Sequence, residues 1–338
     1  MAFRSRSSFL RLLGAAGLAL AAGALSLSSS TAVRAQDDGA YPHKRLRLIV
    51  PFPPGGAADT IGRTLAAQLA ERLGQPVVVE NKPGGGTIIA AQAAATAEPD
   101  GYTLSLATTG QLAINPALHA HLPYHPLKSF EPVALVAETP YVLSVSSQSP
   151  IRSLQDLIEQ ARRQPDTLTF SSCGNGTVCH LTGELLAAQS ETRLTHVPFA
   201  GSAAAITAVI GGHVTLASDT IAVQAPQIRA GALRPLVVTS TRRSSAFPDI
   251  PSAAEAGLPG LVSTSWFGIV VPAGTPRPII ERLNREIDAA TATDAVRQQF
   301  DALGMAALGG TTQQFASQIR ADLDKWGNVV RVASIKVD

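Results

Sequence analysis

The chain alternates between short apolar runs that favour β-strands and longer stretches with helical periodicity, and this alternation limits its fold more than any other feature. In the first unit, the apolar residues 46–50 precede a turn rich in proline and glycine, and an isoleucine or leucine then recurs every four residues from Ile61 to Leu73. The pattern continues with predicted strands at residues 77–80, 102–107, 141–145, 168–171, 214–217, 236–239 and 268–271, and with predicted helices at residues 88–97, 153–163, 180–188 and 279–290. Such alternation predicts an α/β protein with a parallel sheet covered by helices.

Length and composition place the chain among globular proteins. Its 338 residues are 45% hydrophobic and 15% charged, which is too apolar for a disordered chain. The 28 glycines follow no strict three-residue period, which excludes a collagen-like chain. At about 100 to 200 residues per domain, the length predicts two domains, each with its own core.

Residues 1–35 have the composition of an export signal. Three arginines lie among the first eleven residues, an apolar run follows at residues 12–27, and Val33 and Ala35 provide the small side chains that a signal peptidase reads. We therefore expect cleavage after Ala35 and a location in the periplasm. No cysteine stands near this point, so we expect no lipid anchor, and no later stretch approaches the ~18 apolar residues of a membrane-spanning helix.

Removal of the signal changes the charge balance of the protein. The signal carries four of the 27 basic residues and no acidic residue, so the remaining 303 residues hold 23 basic and 25 acidic side chains. A net charge near −2 provides no basic surface for DNA, RNA or anionic lipid. We therefore expect neither nucleic-acid binding nor stable insertion in a membrane.

Four loops between predicted strands and helices are rich in glycine and small hydroxyl residues. They lie at residues 54–60, 108–110, 171–177 and 200–202. Parallel sheets bind ligands beyond the carboxyl ends of their strands, where the unpaired N–H groups of a helix N-terminus hold anions. The first loop alone is equally consistent with an ordinary turn in which Asp59 caps the helix, and the second alone is better explained by ordinary turn chemistry. Together they predict a cleft for an anion, and the lack of a Lys-Ser/Thr ending argues against a nucleotide.

Eight segments of the chain occur in the order that they have in one known family. They are LRLIVPFPPGGAADTIGR (46–63), VVVENKPGGGTIIAA (77–91), AEPDGYTLSLA (97–107), INPAL (114–118), HVPFAGSAAAI (196–206), GALRPLVVTSTRRS (231–244), PSAAEAGLPG (251–260) and PAGTP (272–276). On these segments the sequence resembles the Bug family, the extracytoplasmic solute receptors of tripartite tricarboxylate transporters. The resemblance implies a type II periplasmic binding protein fold, an α/β fold in which two lobes joined by two crossovers close on a small carboxylated ligand in the cleft between them.

The resemblance also implies lobe boundaries and ligand-binding positions. Residues 42–140 and 266–338 would form lobe 1, and residues 141–265 would form lobe 2. The implied ligand-binding residues are Phe52, Pro54, Gly55, Gly56, Ala57, Asp59, Thr108, Gly110 and Asn115 from lobe 1, and Ser172, Gly174, Asn175, Gly201 and Asp219 from lobe 2. The chain departs from the family where Phe199-Ala200 replaces a frequent Tyr-Lys and where Ser218 replaces a frequent Phe, so the resemblance carries over no particular substrate.

The function implied by the resemblance is reversible solute capture without a cofactor. The lobes would close about crossovers near Tyr141 and Trp266, and the closed monomer would dock transiently on the permease subunits of a membrane transporter. A receptor that signals to a sensor kinase fits the same sequence, and only the identity of the membrane partner separates the two hypotheses.

The two cysteines of the chain, Cys173 and Cys179, flank the third glycine loop. In an exported protein, two cysteines six positions apart most simply form a disulfide. The alternative is a reactive thiol at Cys173 with His180 as its base, which would make the protein a secreted cysteine-dependent enzyme. No third residue that would orient His180 is evident from the sequence, so the disulfide is the favoured prediction.

Other catalytic and metal-binding patterns are weak or absent in the sequence. The G-x-S-x-G, H-E-x-x-H and G-x-G-x-x-G motifs do not occur. His119, His121 and His125 crowd one segment, but neighbouring prolines break helical spacing and no acid or cysteine completes a metal site. Asp59 and Asp219 are better explained as a helix cap and a ligand acceptor than as an acid/base pair. We therefore predict no catalytic residue and no metal site.

Overall fold

A strand of 17 residues runs through both halves of the sheet and joins them. The computed structural model describes residues 41–332, so the predicted signal at residues 1–35 lies outside the described part. The chain divides after Tyr41 into two units, and all elements named below belong to the second unit. The strands are β1 Leu46–Val50, β2 Val77–Asn81, β3 Thr103–Thr108, β4 Phe130–Ser146, β5 Thr169–Ser172, β6 Thr195–Pro198, β7 Leu216–Thr220, β8 Leu233–Val238, β9 Thr264–Pro272 and β10 Ala306–Ala307.

Helices cover the sheet and follow most of its parallel strands. The α-helices are α1 Ala57–Leu73, α2 Ile88–Ala95, α3 Asn115–Leu118, α4 Leu154–Arg163, α5 Val178–Ser190, α6 Ser202–Ile210, α7 Ile221–Arg229, α8 Arg277–Thr291, α9 Asp294–Ala302 and α10 Thr312–Val332. A 3₁₀ turn at Gly85–Thr87 precedes α2, and a π-helix at Gly110–Ile114 precedes α3. Across residues 41–332, no helix combines the length and the apolar character that a membrane span requires.

The long strand β4 changes its partners at Tyr141. From Phe130 to Pro140 it pairs antiparallel with β9. From Tyr141 onward it pairs antiparallel with β7 on one edge and with β8 on the other. The first half of the sheet is therefore β2-β1-β3-β9 with the start of β4, and the second half is β6-β5-β7 with β8 and the end of β4. The two halves place their parallel strands, and the loops that follow them, on either side of one cleft.

Two expectations from the sequence need correction. The sheet is mixed rather than parallel, because β4 and β9 run antiparallel to their neighbours. The apolar pattern predicts only the second half of β4, since Pro132 and Pro140 lower the strand signal of its first half. Two register shifts between residues 132 and 137 accommodate this segment within the sheet.

The end of β7 differs from its prediction in a way that matters for the cleft. The predicted strand at residues 214–217 lies at residues Leu216–Thr220 instead. The apolar pattern stops at Ala217, yet Ser218, Asp219 and Thr220 continue the strand and are all buried. Three consecutive buried polar residues at the carboxyl end of a strand do not form a hydrophobic core, which points to a polar site.

Each half of the sheet has its own apolar core. Ile49, Leu112 and Phe315 belong to the core of the first half, and Leu157 and Phe170 belong to the core of the second half. Trp266 lies in the first core, where its indole Nε1 donates a hydrogen bond to Asp322 at 2.5 Å. Trp266 thus packs in the core of the first half of the sheet.

Candidate ligand-binding cleft

A cavity lies between the two halves of the sheet, at the carboxyl ends of their strands. It encloses about 460 Å³ between atoms, part of which opens to solvent. Both halves contribute to its lining. The first half provides Phe52, Gly56, Ala57, Ala58, Thr87, Thr108 and Gly110. Tyr141, where β4 passes into the second half, lines it together with Cys173, Cys179, Ser202, Asp219 and Thr220 of that half. The cavity therefore occupies the position at which open α/β sheets bind ligands.

The first wall of the cavity contains the N-terminus of α1. Gly56 is the N-cap residue, and no side chain among the described residues caps this helix. Ala57 and Ala58 are buried and line the cavity. Since the first amides of a helix have no partner within the helix, these N–H groups are donors for an anion.

Asp59 stabilises this loop and does not line the cavity. Its Oδ2 accepts hydrogen bonds from the Gly55 amide at 3.1 Å and from Arg63 Nε at 3.0 Å, and its Oδ1 accepts one from Asn81 Nδ2 at 2.9 Å. Burial raises the pKa of Asp59, but the hydrogen bonds from Arg63, Asn81 and Gly55 outweigh this effect and the pKa is lowered. Asp59 thus positions the loop that precedes α1.

We expect Asp59→Asn to lower the free energy of unfolding by about 1 kcal/mol at pH 7, because it weakens charge-assisted hydrogen bonds. The effect is small because the Arg63 side chain is 55% exposed and solvent screens its charge. The pKa of Asp59 in the folded state lies below its unfolded value of about 3.8. The ionised carboxylate therefore stabilises the fold above about pH 3.8, and this stabilisation is lost as the pH falls through the folded-state pKa. Urea unfolding of both proteins at pH 7 and at pH 3 should show the difference shrinking at pH 3.

Two further helix N-termini meet the cavity from the other half of the sheet. Helices α6 and α7 begin after Gly201 and Thr220, and within residues 41–332 neither start has a side-chain cap. Ser202, the first residue of α6, faces Gly56 across the cavity: a Cβ built on Gly56 would lie 3.7 Å from Ser202 Oγ. The partial positive ends of three helix dipoles therefore converge on one space.

Helix α5 does not add a fourth free N-terminus. The Thr177 hydroxyl accepts a hydrogen bond from the His180 amide and caps this helix. The loop before α5 is closed by a disulfide between Cys173 and Cys179, whose Cα atoms are 5.9 Å apart. Neither sulfur is a thiol in this structure, so Cys173 offers no free thiol to pair with His180.

Asp219 is the charged residue of the cavity lining. Its side chain is only 2% exposed, and its Oδ1 accepts a hydrogen bond from the Thr220 amide at 2.7 Å. Burial raises the pKa of Asp219 to about 6, while hydrogen bonding to Ser202 and Thr220 lowers it. Burial also raises the pKa of Tyr141, and the negative charge of Asp219 adds to this effect, so the Tyr141 phenol is neutral.

The fourteen predicted ligand-binding residues fall into three groups in the structure. Those that line the inner cavity are Phe52, Gly56, Ala57, Thr108, Gly110 and Asp219. Gly174 and Asn175 line a second, outer cavity of about 890 Å³, part of which opens to solvent. The two linings share Phe52, Thr87, Cys173 and Thr177. Neither lining includes the remaining residues, Pro54, Gly55, Asp59, Asn115, Ser172 and Gly201.

The residues behind the cavity hold its loops in place. Asn115 Nδ2 donates a hydrogen bond to the Gly86 carbonyl at 2.9 Å, which fixes the turn before α2. Ser172 is fully buried, and its Oγ lies 2.6 Å from His196 Nε2 and accepts from the Gly174 amide. Sequence spacing could not separate these supporting residues from lining residues, because both kinds lie in the same loops.

Several lining residues were absent from the sequence prediction. Thr87 directly follows the glycines of the turn before α2, Tyr141 lies within β4, and Thr220 lies at the end of β7. Ser202 directly follows the predicted Gly201. The hydroxyls of Ser202 and Thr220 could have indicated a ligand contact, because each stands at the start of a helix. Ser202 begins α6, and Thr220 is the N-cap of α7.

The predicted second loop is a helix in the structure. Residues 108–110 do not form a turn, because β3 ends at Thr108 and the π-helix begins at Gly110. The Thr108 hydroxyl accepts a hydrogen bond from the Gln111 amide at 3.2 Å. Thr108 and Gly110 nevertheless line the cavity, so the change concerns the backbone and not the position of the residues.

Comparison with known proteins agrees with this arrangement. A family model described as the tripartite tricarboxylate transporter family receptor matches residues 61–335. The protein BugT of Bordetella pertussis is 36% identical over 298 residues, which cover 88% of this chain and 91% of BugT. These matches confirm the resemblance inferred from the eight sequence segments.

Solved structures show the same fold. A Rhodopseudomonas palustris protein, Rpa4515 with adipate, is 34% identical, with a TM-score of 0.85 over 88% of this chain and 99% of that one. MatC from the same organism, with bound malate, is 33% identical, with a TM-score of 0.82 over 86% of this chain and all of that one. The chain therefore belongs to the tripartite tricarboxylate transporter receptor family, the Bug-type periplasmic binding proteins with two lobes.

Proposed function

We propose that this protein is a periplasmic receptor that captures one small carboxylate by closure of its lobes and delivers it to the permease subunits of a tripartite transporter. The observation that carries the proposal is the convergence of three helix N-termini without side-chain caps on the cavity between the two halves of the sheet. Two structural relatives are described with adipate and with malate, which are carboxylates.

The proposed lobes are residues 42–140 with 266–338, and residues 141–265. Their support is the change of partner at Tyr141, where β4 leaves β9 and joins β7. Strand β9 begins at Thr264 and brings the chain back to the first half of the sheet. The two crossings lie side by side, since the Tyr141 amide donates to the Ser263 carbonyl, and they provide the hinge about which the lobes close.

The proposed ligand contacts follow the three groups found in the structure. The amides at the start of α1 and α6 hold the carboxylate, with the Thr108 hydroxyl beside them. Phe52, Gly56, Gly110 and Asp219 complete the inner wall, and Gly174 and Asn175 form part of the mouth. Pro54, Gly55, Asp59, Asn115, Ser172 and Gly201 shape the loops from behind.

The proposed receptor binds its solute reversibly and is not an enzyme. Family members and structural neighbours are solute-binding proteins. In this chain the cysteines are bonded to each other, and the one carboxylate of the cavity has no histidine or lysine beside it in the lining. Residues 1–35 act as the export signal in this proposal.

The test is thermal or urea unfolding of the purified protein, refolded to remove carried-over solute, in the presence of carboxylates and their amides. A ligand at ten times its dissociation constant stabilises the folded state by about 1.4 kcal/mol. We expect stabilisation by an acid, none by its amide, and no consumption of the acid. Loss of the acid on incubation would indicate catalysis, and no effect of any acid would refute the carboxylate site.

A further inference from the structure

The outer cavity of the cleft has a largely apolar lining built from rings. It encloses about 890 Å³ between atoms, and the loops that follow β1, β2, β5 and β6 form it together with the end of α3. Aromatic and proline rings present flat apolar faces, which bury the apolar part of a ligand. The ring-bearing residues of this lining are Phe52, Phe199, Pro51, Pro53, Pro83 and Pro198.

The outer cavity offers little that would balance a second anionic group. Its described lining contains no lysine, arginine, aspartate or glutamate, and His119 is its one titratable side chain. A carboxylate that leaves water for such a lining loses its hydration without gaining an opposite charge. An uncharged group has no such cost, so the lining favours an apolar group over a charged one.

Several backbone amides around the outer cavity already have partners within the protein. The Gly174 amide donates to Ser172 Oγ at 3.2 Å, and the Phe199 amide donates to the Ser172 carbonyl at 3.1 Å. The Thr177 amide donates to the Gly174 carbonyl at 3.4 Å. The inner cavity differs, because three helices begin there without a side-chain cap among the described residues. The two cavities therefore suit opposite ends of one amphipathic solute.

The inner cavity opens toward the outer one. Most residues of the inner lining are buried, whereas Phe52 and Ser202 are half-buried. Phe52 lines both cavities, so it stands where one passes into the other. The two halves of the sheet meet beside this passage, since a Cβ built on Gly201 would lie 3.0 Å from the Pro53 ring. A solute whose carboxylate reaches the amides of α1 and α6 therefore extends past Phe52 into the outer cavity.

We infer that the solute is a monocarboxylate with an uncharged apolar tail that carries an aromatic ring, and that this tail occupies the outer cavity. The inference rests on the proposed function and narrows its substrate class. The helix N-termini hold the carboxylate, while Phe52 and Phe199 contact the ring of the tail. Burial of the tail adds affinity in proportion to the apolar area removed from water, whereas a second carboxylate on the tail would oppose binding.

Matched acids test the inference by titration calorimetry on the unaltered protein at pH 7.5. The pairs are hexanoate with adipate, and 3-phenylpropanoate with 3-(4-carboxyphenyl)propanoate, and the second acid of each pair carries one more carboxylate. We expect each monoacid to bind at least tenfold more tightly than its diacid, and 3-phenylpropanoate to bind most tightly. A diacid that equals or exceeds its monoacid partner would overturn the inference and leave the carboxylate receptor intact. If no acid of any kind binds, the proposed function fails together with this inference.

Phe199→Ser tests whether the tail lies in the outer cavity. We expect the ratio of the affinities for 3-phenylpropanoate and propanoate to fall at least fivefold, because the variant removes a ring that contacts the tail. Phe199→Leu keeps an apolar side chain and should retain most of this ratio. The Phe199 ring also packs against a core of the second half, so urea unfolding must show that both variants are folded. Equal losses of affinity for the two acids in folded Phe199→Ser would refute the placement of the tail.

Ala200→Lys adds a positive charge to the lining at an exposed position. An ammonium there pairs with a carboxylate on the tail, so the affinity for 3-(4-carboxyphenyl)propanoate relative to 3-phenylpropanoate should rise at least tenfold. The control is Ala230→Lys, which makes the same change at the exposed C-terminal end of α7 and should leave both affinities unchanged. An unchanged ratio in Ala200→Lys would mean that the tail lies outside the outer cavity, and this result would refute the inference.

Discussion

Gly86→Ala is expected to weaken solute binding by at least a hundredfold. A Cβ built on Gly86 would lie 2.5 Å from the carbonyl oxygen of Asn175, which belongs to the opposite half of the sheet. Contacts this short do not occur in folded proteins, and the neighbouring atom is backbone rather than the end of a flexible side chain. The two halves therefore cannot approach as they do in this structure, and the closed form that holds the solute is disfavoured.

Gly85→Ala is the matched control for this prediction. Gly85 and Gly86 are neighbours with φ of 56° and 57°, so alanine meets the same left-handed strain, about 1 kcal/mol, at both positions. A Cβ on Gly85 would lie 3.5 Å from Ile88 and 3.9 Å from Ile89, and both are ordinary contacts. Titration calorimetry should show a large loss of affinity for Gly86→Ala alone, and urea unfolding should show similar stabilities for the two variants. Equal affinities would mean that the cleft does not close at this contact.

The parallel parts of the fold could be predicted from the sequence because local patterns determine them. The leucines of α1 repeat every four residues, and the glycine turn before them marks where the strand ends. The central antiparallel strands could not be predicted in the same way. The pairing of Phe130 with Pro272 joins segments far apart in sequence, and the prolines of β4 conceal its length.

The site was predictable as a set of loops but not as a set of contacts. The sequence favours Asp59 as a helix cap and Asp219 as a ligand acceptor. The structure surrounds Asp59 with the donors Gly55, Arg63 and Asn81, whereas Asp219 lines the cavity and accepts from the Thr220 amide. Ser172 likewise lies in a predicted loop but contacts His196 behind the cavity. The direction of a side chain depends on its neighbours in space, and the sequence does not specify these directly.

Loss of the disulfide is expected to lower the free energy of unfolding by about 2 kcal/mol. Cys173 and Cys179 are six positions apart, and the entropy of closing so short a loop in the unfolded chain gives a value of this size. Urea unfolding of the double variant, Cys173→Ser with Cys179→Ser, measures the effect without leaving a free thiol. The unaltered protein in a dithiol reductant should lose a similar amount of stability, whereas the double variant should not respond to the reductant.

The same double variant should also bind the solute less tightly, because both cysteines line the cavity and the loop between them carries Asn175 to the opposite half of the sheet. Without the bond, the loop is held by the Thr177 hydroxyl, which donates to the Gly174 carbonyl at 2.7 Å, and by the contact of Ser172 with His196. Calorimetry on the folded double variant separates the two roles of the disulfide. A loss of stability with unchanged affinity would show that these hydrogen bonds suffice to shape the cleft, and a loss of both would show that the disulfide orders the loop for binding.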